Sequence, residues 1–497
     1  AQAVTAHGTG DVDLRTGGSG DITIDNDDPS SGNAGAVVSA SGTLQVQAGG
    51  ALATTSPTST DSVIAEFTTD GAVRLEAGAG IGSITHRIEL DEVATVAGRA
   101  GTGGLWLRGM ETATALTIGS VDGVNAEDVL SGLATTADGA PIMVSTGGGL
   151  VVTEDVQTAG SGSIDLRTSI LNVTSGAIEL NGGTLRSGAS GNGTGTVQLI
   201  SGYDITTSTT NSDTLEIATG GNVLLEADGD IGADGQRIEI AGAATLATHS
   251  AGNQWLRQTT DALEVGSVDA INTSEPLDYV ATSRDGLETV TGDATISLFL
   301  TNGPLTITET VATYGNGSID LRAANGGIAI NNDALLRSGQ NGEGTGTIQL
   351  IAGAFVSNTP TTPDATFLQT AGDARLTALD GAIGSADNPI RIADAARVSA
   401  SVGGDGNGLF LTQGDGDLTV ADVAAIAPGD NDLDIQAEAQ GDLSTTDGPI
   451  VVTAAAGDLV LQADSDDGIR VSAGGADGHV RLAAETSNQA ITLNGGI

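Results

Sequence analysis

The chain has 497 residues, 75 of them glycine and none cysteine; aromatics make up 2% and the formal net charge is −46. Without cysteine there is no disulfide framework, thiolate metal site or thiol nucleophile. All 17 basic residues are arginine, too few against 63 acidic ones to neutralise a nucleic acid or hold an anionic membrane surface.

No apolar run approaches membrane-spanning length, and no basic then apolar leader opens the sequence, so neither membrane insertion nor a signal peptide is expected. Ordinary globular cores use bulky rings, which are scarce here. Disorder is opposed by Val, Ile and Leu recurring in alternation between Gly, Asn and Asp, a strand-and-turn pattern.

Taken in chain order, the strand-like phrases form a series that restarts. "GDVDLRT" (10–16) and "GDITIDN" (20–26) are followed by "GAVRLEAGAGIGS" (71–83), "GLWLR" (104–108) and "LTIGSVDGVN" (116–125). The second series runs "GSIDLRT" (162–168), "GAIELNG" (176–182), "LRSGASGNGTGTVQLISG" (185–202), "GNVLLEADGDIGA" (221–233), "NQWLR" (253–257) and "LEVGSVDAIN" (263–272). The third runs "GSIDLRA" (317–323), "GIAINND" (327–333), "LRSGQNGEGTGTIQLIAG" (336–353), "GDARLTALDGAIGS" (372–385) and "GLFLT" (408–412). "GHVRLAA" (478–484) and "QAITLNG" (489–495) begin a fourth. The leading glycines, Gly10, Gly162, Gly317 and Gly478, stand 152, 155 and 161 residues apart. This gives three long repeats of about 150–160 residues, at 1–156, 157–311 and 312–472, with the start of another at 473–497.

Within a repeat, each phrase is a short strand with alternating apolar residues and a polar, glycine-rich turn. The stretch 262–268, "ALEVGSV", reads as one such strand. Propellers repeat at shorter periods with aromatic signatures, and beads on a string need linkers that are missing. The expected fold is therefore all-β, a right-handed parallel β-helix running as one continuous solenoid over 1–497. Coils of roughly 20–25 residues stacked about 4.8 Å apart would make the repeated stretch a rod on the order of 100 Å long. Ile164 and Leu166 are expected to face inward. Asp165 and Arg167 should meet at i,i+2 on the solvent face, as should Asp13 with Arg15 and Asp320 with Arg322. Neither end reads as a cap, as if the chain were a window on a longer array.

The phrases "GNVLLEADGDIGADG" (221–235), "ALEVGSVDAIN" (262–272) and "GSIDLRTSILNVTSGAIELNGG" (162–183) resemble the strand repeats of filamentous-haemagglutinin-like exoproteins, large secreted surface proteins of Gram-negative bacteria. The resemblance runs through all three repeats. It implies a β-helical shaft exported through an outer-membrane secretion partner and serving as adhesin, matrix component or stalk. The expected role is thus an extracellular structural or adhesive shaft of a cell-surface filament or matrix, without catalysis. Its partners would be further copies or further repeats, with no nucleic acid.

The rival is a carbohydrate-processing β-helix enzyme, a lyase or glycosidase, which needs paired carboxylates. Such an enzyme breaks repeat symmetry at one place, and the sequence displays no such place. Trp106, Trp255 and Phe410 fill one equivalent slot and are expected to pack inside or between neighbouring elements. His7, His86, His249 and His479 stand apart, without metal-ligand spacing. Calcium is the one cofactor with candidate ligands: Asp25, Asp27 and Asp28; Asp430, Asp432 and Asp434; Asp464, Asp466 and Asp467. The plainer reading of these clusters is a solvated acidic turn.

Overall fold

A computed structural model describes the chain except residues 1–3, 7–9, 26–37, 40–41, 56–64, 111–114, 125–127, 169–175, 209–213, 273–280, 363, 428–439 and 464–469. Among the described residues every regular element is a β-strand and no helix forms. Glycine and β-branched residues disfavour helix, and the period-2 alternation turns one face of the strands into the interior, while several, such as Ile164–Arg167 and Val197–Ser201, are buried on both faces. Two compact units are present. One comprises Ala1–Gly232, Ile238–Ala243 and Asp269–Ser283; the other comprises Ala233–Arg237, Ala244–Val268 and Arg284–Ile497.

In the first unit, Ile142–Thr146, Leu150–Val152 and Val156–Ala159 form three sides of a coil. The next turn of chain lays Ile164–Arg167, Ile178–Leu180 and Leu185–Ser187 beside them, parallel and in register. Val197–Ser201, Ile205–Thr207 and Ile217–Ala218 follow on the same three sides. Inward residues stack into ladders: Ile164 on Val197 on Val223, and Leu166 on Leu199 on Leu225, all fully buried.

The second unit repeats the plan. Ile296–Leu300, Ile319–Ala323, Ile348–Ala352 and Asp373–Ala378 pair in succession on one side, stacking Leu298, Leu321, Leu350 and Leu376. Long parallel sheets of this kind fit a β-solenoid, with stability drawn from neighbouring coils.

The corners explain two biases of composition. A Cβ on Gly195 would lie 2.0 Å from the carbonyl oxygen of Gly162, and one on Gly346 would lie 2.0 Å from that of Gly317. The leading glycine of the repeated phrase thus belongs to a ladder in which coil touches coil through bare backbone. Aspartates do the other half of the work. Asp21 Oδ1 accepts from the Ala51 amide at 2.7 Å, Asp138 Oδ1 from Ser161 at 2.8 Å and Asp155 Oδ1 from Thr184 at 3.0 Å. In the second unit Asp293 does so for Asn316 and Asp333 for Thr361, each at 2.8 Å. These acidic residues are therefore structural, carrying the inter-coil ladder around turns that have no strand pairing.

The sides also exchange roles. In the first unit, strand Thr95–Ala100 pairs by its first half with Leu116–Ile118 and by its second half with Leu133–Asp138. Conversely, Leu105–Gly109 lies beside both Ile81 and Ile88–Asp91, merging two short sides into one long one. The second unit does the same: Arg397–Asp405 is shared between Leu418–Val420 and Leu443–Asp447, and Leu409–Gln413 lies beside Ile383 and Ile390–Ala393. Thr245–Ser250 is likewise shared between Leu263–Val265 and Leu287–Thr289.

Between the two short strands the chain makes an excursion and returns, so "ALEVGSV" is not one strand. It ends at Val265, and Ser267–Val268 turns out to pair antiparallel with Arg284–Asp285. Ser120–Val121 with Leu130–Ser131 is the matching hairpin in the first unit. Two strands can run end to end along one neighbour only if the connecting chain leaves the sheet between them.

Gly286 closes such an excursion with φ +73°, and a Cβ there would lie 1.9 Å from the Thr310 carbonyl oxygen. Gly292 has φ +59° but open space around it. Gly292→Ala should cost about 1–2 kcal/mol of local stability from its backbone conformation alone. Gly286→Ala should cost ~3 kcal/mol or more, because the next coil must also give way. Hydrogen exchange of the 287–289 amides measures the difference, and equal losses would contradict the close-contact account.

Candidate functional site

The most elaborate side-chain arrangement lies under the excursions, on the repeated phrase itself. Asp165 and Arg167 do pair, Arg167 Nη2 to Asp165 Oδ2 at 2.6 Å, but each side chain is 1% exposed. The expectation of a solvent-facing pair is thus corrected. Asp320 and Arg322 are equally buried and pair at 2.8 Å. Only the first copy is partly open: Arg15 and Asp13, 2.7 Å apart, keep 36% and 20% exposure.

What covers the buried pairs is the excursion. Ile271 presents its peptide group to Gln198, the residue beside Asp165 on the next coil. Gln198 Oε1 accepts the Ile271 amide at 2.8 Å, and Gln198 Nε2 donates to the Ile271 carbonyl at 3.1 Å and to Asp165 Oδ1 at 3.0 Å. Arg167 Nη2 donates to the same carbonyl. The second unit reproduces each contact. Ile426 donates to Gln349 Oε1 at 3.1 Å and accepts from Gln349 Nε2 at 3.1 Å and from Arg322 Nη2 at 2.6 Å. In the first copy Val124 donates to Gln45 Oε1 at 2.9 Å. A buried ion pair is tolerated when its remaining hydrogen-bonding capacity is met, and here a peptide group meets it. The chemistry is that of a clamp for backbone.

Sequence reasoning missed the glutamines. The available signal was the fixed place of Gln in "TVQL" and "TIQL", one coil after "SIDL".

The aromatic slot lies on the outer surface. Trp106, Trp255 and Phe410 are half-buried; Trp106 and Phe410 stand between two buried leucines and Trp255 between buried Gln254 and Leu256. In the first unit Arg87, 1% exposed, donates to Ser145 Oγ at 2.6 Å. In the second, Arg237 donates to Ser297 Oγ at 3.1 Å and lies 5.3 Å from the Trp255 ring centre. Pro389 takes the arginine's place beside Phe410. There a groove of about 400 Å³ lies open, lined by Pro389, Arg391, Phe410, Thr412, Thr453 and Arg481 among others. The repeats therefore differ chemically at this slot. Asp364 beside this groove is engaged by Arg391.

Of the calcium candidates only Asp25 lies among the described residues, and it accepts from Thr55 Oγ1 at 2.9 Å. Asp27, Asp28, Asp430, Asp432, Asp434, Asp464, Asp466 and Asp467 lie outside the described residues. Among the described residues no group of three or more His, Asp or Glu side chains could hold a metal ion. His249 Nδ1 lies 3.3 Å from Glu288 Oε2, a contact that lowers the Glu288 carboxyl. His86 contacts Thr85, and His7 falls outside the described residues.

No family model, no curated protein and no solved structure matches this chain.

Two measurements check the clamp and the corners. Gln198→Ala should release the Ile271 peptide, speeding exchange of its amide by about 10- to 100-fold, the equivalent of 1–3 kcal/mol. An unchanged rate would mean the excursion is held by other contacts. At the corners, hydrogen bonds from Ser161 lower the Asp138 carboxyl and those from Thr361 and Thr362 lower that of Asp333, whereas burial raises Asp204. A carboxyl lowered by folding stabilises above its unfolded pKa, about 3.9, and loses that contribution as pH falls through the folded value. A raised carboxyl has the opposite sign: its charged form opposes folding at neutral pH, and acidification relieves it. Carboxyl-carbon NMR should therefore find Asp204 protonating first as pH falls, with Asp138 and Asp333 following; the reverse order would contradict the assignment.

Proposed function

We propose that the chain is an extracellular structural or adhesive shaft of the filamentous-haemagglutinin-like kind, a right-handed parallel β-helix of three long repeats. It would work mechanically rather than catalytically. The observation that carries this reading is the in-register pairing of the same sides, coil after coil, within each unit. Continuous backbone ladders resist bending and extension, because distortion at any level breaks several bonds at once. The side exchange and the clamped excursions tie coils that are not immediate neighbours, which stiffens a stack further.

The net charge of −46 suits such an object. Like-charged surfaces keep neighbouring shafts apart until salt or divalent cations screen them, and self-association then follows. Calcium is proposed in that screening role. Location at the cell surface and export through an outer-membrane partner belong to the same proposal and rest on the sequence resemblance.

Negative-stain electron microscopy tests the reading. Elongated particles of uniform width should be seen, associating side by side or end to end as calcium is raised and dispersing on chelation. Compact particles indifferent to cations, or release of unsaturated or reducing sugar ends from polysaccharides, would overturn it.

A further inference from the structure

Two stretches of this chain share one backbone and differ mainly at one surface spot, with Gln157 against Ala312 among the few changes outside it. Val156–Ala159, Ile164–Arg167, Leu185–Ser187 and Val197–Ser201 in the first unit correspond to Val311–Thr313, Ile319–Ala323, Leu336–Ser338 and Ile348–Ala352 in the second. Their turns match bond for bond. Gly193 donates to Ser187 O at 2.8 Å and Gly344 to Ser338 O at 3.0 Å; Gly191 donates to Gly188 O at 3.0 Å and Gly342 to Gly339 O at 3.1 Å. Gly188 and Gly339 have φ of +76° and +82°.

A groove of about 230 Å³ sits on this turn in the second unit. Its floor is glycine, Gly315, Gly339 and Gly344, and the earlier stretch has glycine at all three places. Its walls are Tyr314, Asn316, Gln340, Asn341 and Glu343. The earlier stretch has Ala159, Ser161, Ala189, Ser190 and Asn192 there, so every wall position differs. Elsewhere between Leu336 and Gly353 the two copies differ only by Ile348 for Val197 and Ala352 for Ser201. Divergence is concentrated on one groove, and it runs from small side chains toward an aromatic ring, amides and a carboxylate.

From this concentration we propose that Tyr314, Gln340, Asn341 and Glu343 form a binding subsite for a neutral saccharide. Tyr314 is 47% exposed, a flat apolar face that suits the C–H side of a sugar ring. Among the described residues none of the four side chains is committed to an intramolecular hydrogen bond. Amides and a carboxylate so placed offer paired donors and acceptors to vicinal hydroxyls. Asn316 orients the wall: its Nδ2 donates to Asp293 at 3.2 Å and its Oδ1 accepts from the Thr345 amide at 3.1 Å. Glu343 and the net charge of −46 select against sulfated or uronate sugars. A close-packed floor keeps the groove shallow, since a Cβ on Gly344 would lie 2.3 Å from the Gly315 carbonyl oxygen. The subsite does not depend on the shaft reading.

Because the earlier stretch folds with small residues, removing the groove is a conservative change. The full chain should be screened against neutral gluco-, galacto- and manno-oligosaccharides, with saturation-transfer NMR and calorimetry on any that bind. Tyr314→Ala should weaken binding at least tenfold with an unchanged circular dichroism spectrum. The combined variant Tyr314→Ala, Gln340→Ala, Asn341→Ser and Glu343→Asn should abolish it. The reciprocal graft, Ala159→Tyr, Ser161→Asn, Ala189→Gln, Ser190→Asn and Asn192→Glu, should raise the stoichiometry by one site per chain. No binding of any of these saccharides at millimolar concentration, binding of acidic saccharides alone, or binding indifferent to the combined variant would overturn the proposal.

Discussion

The peptide group of one coil finds its hydrogen-bonding partner in the next, and nearly every other feature of the chain serves that pairing. A thin apolar interior of stacked Ile, Val and Leu drives the collapse, each fully buried side chain contributing roughly 1.5–3 kcal/mol. Register is then fixed because a slip by one residue would turn those ladders outward. Turns are the weak points, since they leave amides unpaired. Bare glycine backbone lets the coils touch there, as at Gly162 and Gly195. Aspartate oxygens take amides the sheets do not reach, as at Asp138 and Asp333. A glycine-rich, acidic and ring-poor composition is the consequence.

The exchange of sides gives the long period its meaning. A coil of fixed sides needs no memory beyond its own length. A coil whose long side becomes two short ones must first expel a hairpin and then hold it. The expelled chain is held by its backbone: Gln198 pairs with the Ile271 peptide and Gln349 with the Ile426 peptide as a neighbouring strand would, and a buried Asp–Arg pair supplies the remaining contact. Breaking such a pair by removing one partner is strongly destabilising, by about 3–5 kcal/mol, because the other charge is left buried. The same seven-residue phrase therefore recurs because it carries a corner glycine, two ladder residues and the clamp for the excursion that ends the series.

Sequence alone gave access to the strands, the parallel stacking and the inward pair Ile164 and Leu166. Alternation and turn chemistry are local, so they survive translation into one dimension. The environment of Asp165 and Arg167 did not. An outward residue on an isolated strand faces water, but here Gln198 of the next coil and the returning Ile271, distant in the chain, close over it. The split of "ALEVGSV" at Val265 was hidden for the same reason, since nothing in the apolar pattern tells two collinear strands from one. The groove beside Tyr314 was missed, because Tyr314 precedes the repeated phrase and only the fold brings it to the same groove as Gln340 and Glu343.

Register between coils is the claim from which all else follows, and a chain devoid of cysteine allows it to be read directly. Glu179 and Thr206 face each other across adjacent coils of the first unit, and Thr306 and Ala329 do so in the second. Cysteines introduced at Glu179 and Thr206, or at Thr306 and Ala329, should oxidise quickly and quantitatively to intramolecular disulfides, since paired strands hold Cα atoms within the distance a disulfide spans. A control pair displaced by two residues, Glu179 with Asp204, should not. Rapid closure of the displaced pair with failure of the facing pairs would show that the coils are stacked differently, and the account would fall with them.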